Sequence, residues 1–164
     1  MTLIVENGTG LANAESYASV AYADAYFAAR NVTAWTGDDA HKEGLLRIAT
    51  EYIDSVFGQR FKGTRNTITQ ALQWPRDGVS VDGFDLDSDV IPVDLMRATC
   101  EIAHQANSTE LLPNLEQGVI REKVDVLEVE YDSSSPRIVR LSKANSMLAK
   151  YLTGNGFTFE INRT

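Results

Sequence analysis

A single cysteine and two histidines in 164 residues leave little material for disulfide, thiol or metal chemistry. One cysteine excludes an intrachain disulfide framework and fits a reducing compartment. Cys100 and His104 stand one helical turn apart. A catalytic thiolate, however, needs an activating base with its own orienting partner, and a zinc site needs four ligands. His41 is the other histidine, so a buried thiol beside a helix-surface histidine is explanation enough. No apolar run approaches the length of a membrane span, and the opening residues show no basic-then-apolar leader pattern. Phosphate-cradling glycine loops, nucleophile elbows and zinc-ligand helices are also missing. The sequence therefore points to no enzyme activity and no cofactor. The run Asp85-Leu86-Asp87-Ser88-Asp89 imitates half of a calcium loop, but Val90 stands where glycine is needed and Met96 where the bidentate acid should be.

What the chain does have is charge, unevenly placed. The net charge of −8 divides into −5 for residues 1–55, +4 for 60–76, −11 for 77–132 and +4 for 133–164. Phosphate binding rests on cations, so an overall pI near 4.7 opposes it unless the basic segment acts alone. Charge blocks also suit packing of identical subunits, basic patch on acidic patch. They are equally compatible with solvated charge on separate faces.

The pattern of apolar residues predicts a mainly α protein: a small bundle of about four helices with a β arm or hairpin and a strand-like C-terminal tail. Ser19 is a candidate N-cap for a helix to about Arg30, with Val20, Tyr22 or Ala23, Tyr26 and Phe27 inward. Asp38 or Asp39 caps the strongest helix, whose Leu45, Leu46, Ile48, Ala49, Tyr52, Ile53, Val56 and Phe57 recur at three and four residues up to Gly58. Ile91-Pro92 opens a third helix carrying Leu95, Met96, Thr99, Ile102, Ala103 and Ala106. Residues 119–131 alternate like a β arm with one phase slip at Leu127. A last helix is expected over about 137–152. Residues 1–153 thus form the helical domain and 154–164 an extended tail.

Two segments invite a functional reading. Between Ser55 and Arg76 there is no carboxylate, yet Arg60, Lys62, Arg65 and Arg76 are interleaved with Phe61 and Trp74. Cations with aromatics are how single strands are held, each stacked base contributing about 1–3 kcal/mol. Trp74 before a proline is as well suited to plugging a pocket beneath the loop. The same six residues could instead meet a neighbouring subunit. The acidic residues that follow, Asp82, Asp85, Asp87 and Asp89, could face a neighbour or line a channel. In the tail, Phe157, Phe159 and Ile161 share one strand face, which suits docking on a partner's sheet edge; completing the chain's own sheet beside 119–131 is the other possibility.

The stretches Gly8-Thr9-Gly10-Leu11-Ala12-Asn13-Ala14-Glu15-Ser16-Tyr17, Ala23-Asp24-Ala25-Tyr26, Trp35, Tyr52-Ile53-Asp54, Arg60 to Arg65, Ala71-Leu72-Gln73-Trp74-Pro75-Arg76, Leu111-Leu112-Pro113 and Glu122-Lys123-Val124 occur in an order that resembles one family of tailed-phage proteins. That family has been labelled DnaT-like single-stranded-DNA-binding protein and is also similar to head-tail connector (adaptor) proteins. The resemblance covers about residues 1–150, with Asp125-Val126-Leu127 in place of a Gly-Pro turn. It implies a structural virion protein: a homo-oligomeric ring, typically of twelve subunits, in the neck between capsid and tail. Its partners would be the portal above, tail or neck proteins below, and genomic DNA passing through the lumen without specific recognition; no membrane is involved. The older label implies the alternative, a replication accessory protein that binds single-stranded DNA.

Overall fold

The computed structural model describes residues 2–111 and 141–154. Helix α1 (Val20–Ala28) begins at Ser19, whose extended backbone lets its hydroxyl accept the Tyr22 N–H at 3.1 Å. Helix α2 (Asp39–Phe57) begins the same way, Asp38 Oδ1 accepting the His41 N–H at 2.9 Å. Each cap satisfies an amide that the first helical turn leaves without an internal partner. At its far end α2 passes into a 3₁₀ turn, Gly58–Arg60, with Gly58 still right-handed at φ −50°. The α-helix thus ends at Gly58 as expected, without the left-handed backbone of the common glycine stop. Glycine serves here for close approach, since a Cβ on Gly58 would lie 3.0 Å from the Gln73 side chain.

Four two-residue strands follow. β1 (Thr64–Arg65) pairs antiparallel with β2 (Arg76–Asp77), and β3 (Ser80–Val81) with β4 (Phe84–Asp85). The second hairpin turns on Asp82 and Gly83, with φ of 54° and 85°, the left-handed pair that a two-residue type I′ turn requires. Helix α3 (Val93–Ala106) starts directly after Pro92, which occupies the cap position rather than the first helical one. Helix α4 (Ser142–Leu148) tightens into a 3₁₀ turn, Ala149–Tyr151. It begins after Leu141, which at φ −78°, ψ 63° is not helical; the expected start near 137 lies outside the described residues. Among the described residues the chain is thus mainly helical, four helices with small β hairpins. The anticipated β arm at 119–131 and the strand at 157–161 lie outside the described residues.

Helix α3 is the centre of the bundle, packed between α2 and α4, and α1 lies against both α2 and α3. Leu46 and Ile53 from α2, Leu95 and Ile102 from α3, and Leu148 from α4 are fully buried. Each such side chain stabilises the fold by about 1.5–3 kcal/mol. Ile48 and Val56, assigned inward by their spacing, are 47% and 36% exposed. The buried stripe of α2 runs through Leu45, Ala49, Tyr52, Ile53 and Phe57; Ile48 sits on its margin, and Val56 lies in the last turn of the helix.

The N-terminal segment is held by a carboxylate. Glu6 is buried, and its Oε1 accepts the N–H groups of Asn7, Gly8 and Gly10 at 3.0–3.1 Å while Oε2 accepts that of Leu11 at 2.9 Å. Gly8, at φ 99°, packs so closely on the chain before α3 that a Cβ would overlap the Asp89 carbonyl oxygen. A buried carboxylate surrounded by amide donors is compensated without a cation. Glu6→Gln must turn an NH₂ toward the Leu11 N–H, donor against donor. We expect it to lower the unfolding free energy by about 1–3 kcal/mol, read as a lower urea midpoint at unchanged slope.

Candidate functional site

The 60–76 segment is built inward. Phe61 follows the 3₁₀ turn and is 4% exposed, and Trp74 is fully buried. The Trp74 ring meets Phe61 edge-on at 5.9 Å and Tyr151 edge-on at 5.7 Å. It is therefore the plug under the loop. The peptide from Trp74 to Pro75 is cis. Among the described residues Trp74 Nε1 has no hydrogen-bond partner.

Arg76 is also interior, at 7% exposed. Its Nε donates to Lys62 O at 2.7 Å, one terminal nitrogen to Gly63 O at 2.7 Å and Phe61 O at 3.4 Å, and the other to Gln73 O at 3.2 Å. The guanidinium fork ties both arms of the first hairpin to the turn before it. Burial is the largest influence on this group and lowers its pKa.

A second anchor joins this segment to α2. The Tyr17 hydroxyl, fully enclosed, donates to Asp54 Oδ1 at 2.5 Å and accepts the N–H groups of Gln73 at 3.0 Å and Trp74 at 3.3 Å. Asp54 Oδ2 accepts the Gln73 N–H at 3.0 Å. Burial pushes the Tyr17 pKa well up, and the Asp54 charge pushes it further. For Asp54, burial raises the carboxyl pKa to about 6, against the lowering effect of its hydrogen bonds from Tyr17 and Gln73 and of the charges on Arg65 and Arg76.

A folded pKa above the unfolded value, about 3.9, means that the folded chain holds this proton more tightly. The contribution of Asp54 to stability is then fully present below about pH 4 and is lost as pH rises through about 6. The loss amounts to roughly 2–3 kcal/mol. Denaturation of the wild type and Asp54→Asn at several pH values isolates it, because the variant cannot titrate. The wild-type-minus-variant stability should fall between about pH 4 and pH 7; a flat difference contradicts the assignment.

The six residues singled out from sequence thus divide. Phe61, Trp74 and Arg76 face the interior, whereas Arg60, Lys62 and Arg65 are half-buried at the surface. Lys62 Nζ donates to Ser80 O at 3.2 Å, and Arg65 donates to Ile68 O at 2.9 Å. Asp82, Asp85, Asp87 and Asp89 are exposed along and after the second hairpin. No ion pair among the described residues involves any of these cations or carboxylates. Asp85 is a strand residue opposite Ser80, not the head of a cation loop. Among the described residues no group of three or more His, Cys, Asp or Glu could hold a metal ion. Phe157, Phe159 and Ile161 lie outside the described residues.

Cys100 is buried, and burial pushes its thiol up to about 12, far from a reactive thiolate. His104 packs on Phe27 at 5.4 Å. Sequence reading missed Glu6, the Tyr17–Asp54 pair and the second hairpin. Only the last had a local signal, Asp82-Gly83 between Val81 and Phe84. It also missed that Ile68 and Phe84 are 93% and 77% exposed.

These features define a small helical scaffold whose loop is pinned by buried aromatics and a buried guanidinium, with charge and apolar side chains displayed at the hairpins. The chain belongs to the family described as "Putative DnaT-like ssDNA binding protein", whose model matches residues 1–164. No curated protein and no solved structure matches it.

Proposed function

We propose that the chain is a structural subunit of a tailed-phage virion, a head-tail connector that forms a ring between portal and tail. The observation that carries this reading is the burial of Trp74, Phe61 and Arg76. A single-strand binder presents aromatic faces and cations together. Here both rings and the most strongly bonded cation are committed to the interior. What remains outside is an acidic protein with large apolar side chains exposed at its hairpins, Ile68 and Phe84, the kind of surface that protein partners cover. In this reading copies of the chain form the wall, genomic DNA passes through the lumen without specific contacts, and Phe157, Phe159 and Ile161 of the tail dock on the portal.

The family description favours a second reading, single-stranded-DNA binding. It would rest on Arg60, Lys62 and Arg65. The two separate cleanly in one set of mixtures. The connector co-sediments with the portal protein encoded in the same genome and leaves a labelled oligonucleotide free. Oligonucleotide binding that weakens steeply with salt and is lost on reversing those three charges, with no portal binding, overturns the proposal.

A further inference from the structure

The exposed large apolar residues of the hairpin region come from adjoining segments. Ile68 is 93% exposed, Phe84 77%, and Val90 and Val93 49% each. Asn66 Nδ2 donates to Ser88 O, which brings the turn carrying Ile68 beside the segment carrying Val90. Phe84 stands at the start of β4, next to the Asp82-Gly83 turn. Interleaved with Phe84 and Val90 along the chain are Asp82, Asp85, Asp87 and Asp89, all exposed and, among the described residues, outside every ion pair. Beside them Arg60, Lys62 and Arg65 are likewise without a carboxylate partner among the described residues. The two sets sit on neighbouring hairpins of one chain, joined through Lys62 Nζ and Ser80 O, yet no ion pair links them.

We infer that the β3–β4 hairpin, with Phe84, Ile68 and Val90 as its apolar centre and the four aspartates as its rim, is the surface on which a second copy of this chain docks through its 60–65 segment. Complementary charge identifies the occupant. An acidic rim and a basic segment on one chain, neither in an ion pair among the described residues, become ion-pair partners when identical copies meet with one copy's hairpin on the other's basic segment. Apolar side chains inside a charged rim match the arrangement of protein interfaces. A nucleic acid is unsuited to this surface, since its phosphates would face the carboxylates. The inference rests on the ring reading and names the contact that closes the ring.

The test uses the full chain, with self-association read both free in solution, by sedimentation from micromolar to millimolar concentration, and as a layer on the portal. Asp85→Lys with Asp87→Lys should weaken association at least about tenfold, and so should Arg60→Glu with Arg65→Glu. Mixing the two variants should restore it, because alternating copies are again complementary at every contact. Phe84→Ala should weaken association while leaving the urea midpoint unchanged, which separates contact from folding. Variants that associate like wild type overturn the interface; a persisting layer on the portal then leaves the connector reading standing. A wild-type chain that associates in neither setting overturns both.

Discussion

Trp74→Ala is expected to lower the unfolding free energy by about 3–5 kcal/mol. The ring is fully buried and lies edge-on to Phe61, just past the end of α2, and to Tyr151, just past the end of α4. Removing it opens a cavity where three stretches of chain converge, and a cavity at such a junction cannot close by moving one element. Trp74→Phe should cost less, about 1–2 kcal/mol, because Nε1 has no hydrogen bond to lose among the described residues. Denaturant midpoints with far-ultraviolet circular dichroism decide the matter. If Trp74→Ala left stability unchanged and altered only the binding of a partner, the interior role assigned to this ring would be wrong.

Arg76→Lys should destabilise by about 2–4 kcal/mol although charge is kept. The guanidinium reaches four backbone carbonyls, of Phe61, Lys62, Gly63 and Gln73. A lysine ammonium has three donors at one point and cannot span that set, so buried carbonyls are left without a donor. Were Arg76 a surface contact for phosphate or for a neighbouring subunit, lysine would substitute with little effect on folding. A lowered urea midpoint in Arg76→Lys together with an unchanged midpoint in Arg60→Lys is the expected pair of results. Equal midpoints for all three proteins would contradict it.

The helices were legible because their signals are local. Ser19 is the N-cap in the structure as in the sequence, of the two candidates Asp38 and Asp39 it is Asp38 that caps α2, and the stripes of α2 and α3 run where the three-and-four spacing places them. What spacing could not decide was the margin of a stripe, where Ile48 came out exposed, and how far the core reaches along it, since Val56 in the last turn is exposed as well. The 60–76 segment was legible as unusual but not in its orientation. A tryptophan and an arginine between hairpin arms look alike on paper whether they face water or the interior. The answer depends on Tyr17 and Asp54, and on Tyr151, which is far away in sequence. Glu6 was hidden for the same reason, since its partners are backbone amides that leave no mark on residue type. The Asp82-Gly83 hairpin had a readable turn signal and was obscured by the run of acidic residues around it.

The central claim is that this chain builds a ring on a portal and does not grip DNA. Negative-stain imaging of the full chain mixed with the portal protein from the same genome tests it most directly. A ring on the portal appears as an added layer of density carrying the portal's symmetry. An unchanged portal, with salt-sensitive oligonucleotide binding in the same preparation, would contradict it.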